Sequence, residues 1–167
     1  MRVFLLAVQF VPFSNPSLAN LFRYKTVSWY NLNMTANNQL EHINDNLRLD
    51  IIKAIRHVQT EIRWKSGKHI QHLTKRIRLG HLPPQTTLTE YEAIIATIVN
   101  DYQAKVYLFR YEDTPYPTLV TTVKNQDWLV MIGLDGIMET AFPPNDPETY
   151  LADPAYVYVG MLEELQK

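Results

Sequence analysis

Leu40, Ile43, Leu47, Ile51, Ile55, Val58 and Ile62 recur at spacings of three and four, so residues 40–64 are expected to form a helix with one apolar face. Arg48, Lys53, Arg56, His57 and Arg63 fill its other positions, and Ser66-Gly67 supplies the stop. A second, shorter helix is expected over residues 68–79, with Ile70, Leu73 and Ile77 turned inward, ended by Gly80 and the pair Pro83-Pro84. The third is the best marked. Thr87 stands three residues before Glu90, the spacing of a capping box, and Leu88, Tyr91, Ile94, Ile95, Ile98 and Tyr102 succeed it on one face.

After Tyr102 the period shortens from 3.6 to about 2. Residues 105–111, 118–124, 128–133 and 136–142 are short runs rich in Val, Tyr, Phe, Thr and Ile between turn residues, and Asp135-Gly136 marks a hairpin between the last two. Residues 143–154 read as a proline- and acid-rich loop, residues 155–160 as an optional added edge strand, and residues 161–166 as a closing helical turn. Helices and then consecutive strands predict an α+β domain, its N-terminal helices packed on one face of a four-stranded antiparallel sheet.

The chain has 167 residues, 46% hydrophobic and 20% charged, which suits one domain with a core, assigned to residues 34–167. The first 33 residues differ in character from the rest of the chain. Val3 to Phe13 is an apolar run broken by Gln9 and Pro12, too short to span a membrane. It reads either as a leader with Ser17, Leu18 and Ala19 near a cleavage region, implying secretion, or as a non-native extension ahead of a start at Met34. The second reading is preferred and goes with a cytoplasmic location. There is no cysteine, which excludes disulfides, Cys-ligated zinc, cysteine nucleophiles and the Pro-Cys-x-x-Cys element of zinc nucleobase deaminases.

A net charge of -1 conceals a marked asymmetry. Residues 41–80 carry nine basic and four acidic side chains, and residues 81–167 carry four and thirteen. From Ile51 to His81 the basic set is Lys53, Arg56, Arg63, Lys65, Lys68, Lys75, Arg76 and Arg78, against Glu61 alone; His57, His69, His72 and His81 fall in the same stretch. Such a cluster is either a surface for nucleic acid or phosphate, or a solvated face paired with the acidic second half.

On the second helix His69, His72 and Arg76 lie at i, i+3 and i+7 and share a face. Phosphodiester cleavage without a metal needs a base for the 2'-hydroxyl, an acid for the 5'-oxygen and positive charge for the phosphorane. Histidines among fixed cations supply all three. Each residue also has a bland reading, as an exposed helical histidine or a surface ion-pair partner. The competing metal site would use His69, His72 and His81, but it lacks the H-E-x-x-H spacing, has no carboxylate between His69 and Thr89, and is crowded by cations. No metal or other cofactor is therefore assigned. The chain contains no G-x-x-x-x-G-K-[ST], G-x-G-x-x-G or G-x-S-x-G motif. Asp135 is read as a turn residue. Tyr107, Phe109 and Tyr111 share one strand face and are read as packing residues before base-stacking ones, whereas Trp64, beside Lys65, is the stacking candidate for RNA.

The run Lys68-His69-Ile70-Gln71-His72-Leu73-Thr74-Lys75-Arg76, the helix over 88–102, the strands over 106–111, 118–123 and 128–132, and the closing Gly136-Ile137-Met138-Glu139-Thr140-Ala141-Phe142-Pro143 together resemble the barnase/EndoU/colicin/RelE-like nuclease superfamily. The likeness is strongest to its phage- and polymorphic-toxin-associated branches and covers about residues 67–143. It implies a toxin-like endoribonuclease, with His69 or His72 in proton transfer, Lys75 and Arg76 on phosphate, and Thr140 as a late-strand hydroxyl. No histidine occurs after His81, so the late-strand histidine acid of some branches is missing: either His81 supplies that role, or catalysis relies on Lys and Arg, or the protein is inactive. The candidate catalytic set is His69, His72, His81, Arg76 and Thr140, and the candidate substrate-binding set is Lys68, Lys75, Arg78 and Trp64. RNA and a neutralising antitoxin or immunity protein are the expected partners. The alternative is a catalytically inactive RNA-binding or protein-interaction module of the same fold.

Overall fold

The computed structural model describes residues 43–167. The expectations for residues 1–33, leader or extension, lie outside the described residues, as do residues 40–42 of the expected 40–64 helix, while Ile43 and Asn44 are not helical and Asn44 is the N-cap. Helix α1 is Asp45–Thr60, α2 is Lys68–Arg78 and α3 is Leu88–Val99. The strands are β1 Lys105–Tyr111, β2 Thr114–Val123, β3 Gln126–Ile132, β4 Met138–Phe142 and β5 Tyr156–Met161. A short α4, Pro147–Leu151, precedes β5, and α5, Leu162–Leu165, succeeds it.

The sheet runs β4-β3-β2-β1-β5 with every pair antiparallel. This confirms the α+β class, with one correction: among the described residues the sheet has five strands, not four. The optional segment after the proline-rich loop pairs along β1, from Lys105 opposite Met161 to Phe109 opposite Tyr156, and occupies the edge that β2 leaves open. Strand β2 also starts earlier than expected, because prolines at 115 and 117 disguise it. β3 pairs with β2 only from Thr118 onward, so Thr114–Pro117 has one neighbour, the edge setting in which proline is tolerated.

Each helix end has a local cause. α1 begins where the Asn44 side chain accepts from the Leu47 amide at 2.9 Å. It stops at Thr60, four residues short of the expected end, because the chain turns extended at Glu61 and is captured by the sheet. The Met138 amide donates to the Arg63 carbonyl at 2.8 Å, and Trp64 forms a parallel bridge to Met138. α3 carries the expected capping box: Thr87 Oγ1 accepts from the Glu90 amide at 3.2 Å, and Glu90 Oε2 accepts from the Thr87 amide at 2.7 Å. Thr87→Ala removes this cap and is expected to lower Tm by roughly 4 °C in a thermal melt. The loop around Asp135 behaves as a turn, with Asp135 Oδ1 accepting from the Ile137 amide at 3.0 Å.

One core lies between helices and sheet. Ile51, Ile55 and Val58 of α1 and Tyr91, Ile95 and Ile98 of α3 meet Val106, Leu108, Leu119, Trp128, Val130 and Ile132 on one sheet face. The alternate strand residues form a second layer. Phe109 packs on Tyr156 with ring centroids 4.7 Å apart, and α4 brings Tyr150 within 5.6 Å of Phe142 and 5.5 Å of Tyr156. Tyr107 likewise packs edge-on against Tyr158 at 5.4 Å, so these strand aromatics are packing residues. α4 falls inside the segment expected to be a loop; Asp146, whose side chain accepts from the Thr149 amide at 3.1 Å, with Pro147 next at the first helical position, is the signal for it. No helix among the described residues is long and apolar enough to cross a membrane.

Candidate functional site

α2 lies against β4, the covered edge of the sheet. It is amphipathic in an unusual way, because the face it buries holds Leu73 together with His72 and Arg76. Of the buried polar or charged side chains among the described residues, His72 (9% exposed), Arg76 (4%) and Thr118, two belong to this helix, at i and i+4 on one face.

His72 is held by two partners, Trp64 and Thr140. Its ring stacks on Trp64 with centroids 5.3 Å apart and planes 26° from parallel. Trp64 stacks in turn on Tyr91 at 6.0 Å, and its indole N–H donates to Glu92 Oε1 at 3.0 Å. Thr140 Oγ1 of β4 lies 3.3 Å from His72 Nδ1, within hydrogen-bonding reach across 68 residues of sequence. Burial, and then the cations of Arg76, Lys75 and Lys68, push the imidazole from its ordinary 6.5 down to about 4. It is therefore a neutral ring at pH 7.

Arg76 is a buried cation, and none of the salt bridges among the described residues includes it. Its guanidinium carbon lies 5.2 Å from the centroid of Phe142, a cation–π contact. Nη1 lies 3.4 Å from His81 Nδ1, and Nε is buried with no hydrogen-bond partner. A guanidinium can only donate, so Nδ1 of His81 must accept, which puts the proton of that neutral ring on Nε2. Burial, then Arg76 and Lys75, lower the His81 pKa as well. Burial also lowers the pKa of Arg76, but a guanidinium stays charged. A positive group that is desolvated and has an unsatisfied donor is costly to fold unless something anionic completes it.

The fold thus brings together five of the expected residues: His72, Arg76, His81, Thr140 and Trp64. His69 sits a turn earlier on α2, partly buried, and takes no part in these contacts. Arg78 is exposed, beyond the cluster. Lys68 and Lys75 act on His72 through their charge, and burial, then Arg76 and Arg78, lower the pKa of Lys75. Trp64 is already engaged by two rings and a carboxylate, so a nucleobase could stack on it only by displacing His72 or Tyr91. His69, His72 and His81 do not converge as metal ligands: no group of three or more His, Cys, Asp or Glu among the described residues is arranged to hold a metal ion.

Several members of the site have no signature in the sequence. The pattern of α3 marks Tyr91 only as a core residue, yet its hydroxyl donates to the Ala141 carbonyl at 2.7 Å and so fixes the strand that carries Thr140 and Phe142. Phe142 lies under the guanidinium and Tyr150 packs on Phe142 and acts electrostatically on Arg76, and their distance in sequence from α2 leaves no local signal. Lys65 and Glu139 form an ion pair beside Thr140 that no short-range pattern predicts. The Asp146-Pro147 start of α4 is the one available hint of how Tyr150 is delivered.

Comparison of the chain with protein-family models, curated proteins and solved structures finds no match. A functional reading rests on the geometry of the α2–β4 edge.

Proposed function

We propose that the domain is a metal-independent endoribonuclease that cleaves RNA by 2'-hydroxyl transesterification at the α2–β4 edge. The observation that carries this reading is Arg76, a buried guanidinium with an unpartnered Nε, flanked by the neutral imidazoles of His72 and His81 and set among Lys68 and Lys75. A phosphodiester is the anion that such a constellation suits. Arg76 would neutralise the phosphate, and the bound anion would offset the cationic charge that depresses both imidazoles. His72 would take the 2'-hydroxyl proton as the 2'-oxygen attacks phosphorus. His81 must first take up a proton, which turns its Nδ1 into a donor and breaks its contact with Arg76. The P–O5' bond then breaks, the 5'-oxygen takes a proton from the His81 imidazolium, and a 2',3'-cyclic phosphate and a 5'-hydroxyl are left. Thr140 orients His72. The resemblance of the 67–143 region to toxin nucleases extends the proposal to a toxin-like role with a neutralising antitoxin or immunity protein.

A second reading, a non-catalytic RNA-binding or interaction module, is favoured by one observation: His72 and Arg76 are almost fully covered. Arg76→Met tests what Arg76 is for. Methionine keeps the apolar contact with Phe142 and removes the desolvated charge, so stability should hold or rise by about 1–3 kcal/mol in urea unfolding. Affinity for a 2'-deoxy-substituted oligonucleotide should fall about tenfold or more, because a charge-assisted contact is lost. A variant that unfolds more easily and binds as before would make Arg76 a structural cation and remove the basis of the proposal.

A further inference from the structure

α2 leaves Arg76 4% exposed, so a ligand has little access to it in this arrangement. Gly67 and Gly80 bracket α2, one at each end. Both are in the left-handed region, φ +73° and +72°, and at both a Cβ would meet nothing within 4 Å. Neither position carries a side chain that would resist a change of backbone angles, so what a turn gives up there is local hydrogen bonding, chiefly the Gly80 amide to the Ile77 carbonyl and the His81 amide to the Arg76 carbonyl, each 2.9 Å. The helix between them is weakly anchored. It has no side-chain bond at its N-cap, its only fully apolar buried side chain is Leu73, and its polar tie to β4 is the long 3.3 Å contact of His72 with Thr140. α3 buries four apolar or aromatic side chains, Tyr91, Ile95, Ile98 and Val99, and carries a complete capping box. Two large apolar side chains of the α2 segment, Ile70 (51%) and Leu79 (46%), already face solvent.

Resting on the reading of Arg76 as a phosphate ligand, we propose that α2 is a hinged door, swinging from β4 about Gly67 and Gly80 to admit a phosphate ester to Arg76 and His72. Opening hydrates a guanidinium and an imidazole that are buried at a cost. It gives up the packing of Leu73 and part of Ile77, the stacking of His72 on Trp64 and the contact of Arg76 with Phe142, which is still less apolar burial than α3 holds. That balance makes a local opening cheaper than opening of α3 or the sheet. The anion then binds the open form and increases its population.

Native-state hydrogen exchange on the unaltered chain tests this, with a 2'-deoxy oligonucleotide as the probe. Once off β4 a helix of 11 residues does not hold its own hydrogen bonds, so amides of α2 should exchange at least about tenfold faster than those of α3, by an opening insensitive to low urea. The oligonucleotide should speed α2 exchange further, and Arg76→Met should abolish that increment. A Leu73→Cys variant, labelled faster than Ile98→Cys by a thiol reagent, gives a side-chain readout of the same opening. Equal protection of α2 and α3 would overturn the hinge and leave the nuclease reading standing. Faster α2 exchange that the oligonucleotide leaves unchanged would overturn the admission of phosphate and, with it, the role given to Arg76.

Discussion

His72→Gln and His81→Ala should each lower RNA cleavage by about 10²–10⁴-fold while leaving affinity for an uncleavable oligonucleotide within a few-fold, since each removes one proton transfer and no phosphate contact. Single-turnover rates with saturating enzyme separate the two quantities. The two substitutions together should cost far less than the product of the single effects, because base and acid serve one concerted step. His69→Ala provides the contrast, leaving the rate near that of the parent, as His69 stands outside the contacts that hold His72. The pH dependence of kcat/KM should have its optimum below 6.5, because both imidazoles titrate below their ordinary value in the ligand-free protein. Loss of activity in His69→Ala with retention in His72→Gln would move the chemistry to the exposed side of α2.

The second large effect is on stability. His72 takes up its proton near pH 4 when folded and near 6.5 when unfolded. Between those values the unfolded chain binds more protons, so stability rises with pH across this window, is complete above 6.5, and is lost as pH falls toward 4. The span of about 2.5 pH units corresponds to roughly 3 kcal/mol. Among the described residues no carboxylate faces His72 to reverse the sign. Its neighbours are Lys68, Lys75 and Arg76 on α2, Trp64 on the preceding segment and Thr140 on β4, while Glu92 is turned to the Trp64 indole. His81, depressed in the same direction, adds to the trend. Urea unfolding of the parent and of His72→Gln at pH 7, 5.5 and 4.5 measures the difference. The parent should lose more stability than the variant on acidification; equal losses would mean that His72 is protonated in the folded state.

The elements of this fold that rest on local chemistry are legible in the sequence. The 88–99 helix comes from a capping box and an apolar stripe, and β1 and the Asp135 turn come from alternation and turn residues. Elements shaped by distant contacts are not. α1 ends early because β4 captures Arg63 and Trp64, and β2 runs through Pro115 and Pro117 because its outer edge there lacks a partner. The site divides in the same way. His72 and Arg76 are visible as a helical i, i+4 pair, and a search for basic, histidine-bearing helices finds them. What the sequence does not convey is that this face turns inward. Cations on an amphipathic helix are ordinarily its solvated side, and only Phe142, Tyr150 and Tyr91, gathered from β4, α4 and α3, make the opposite arrangement possible. That inversion separates a buried anion receptor from a basic surface.

The most direct test of the nuclease proposal is incubation of the full chain with RNA oligonucleotides in excess EDTA, with the product ends identified by mass. The expected products carry 2',3'-cyclic phosphate and 5'-hydroxyl ends, form without added metal, and vanish with His72→Gln and with His81→Ala. RNA that stays intact with a folded protein at high concentration, or products ending in linear phosphate only, would contradict it.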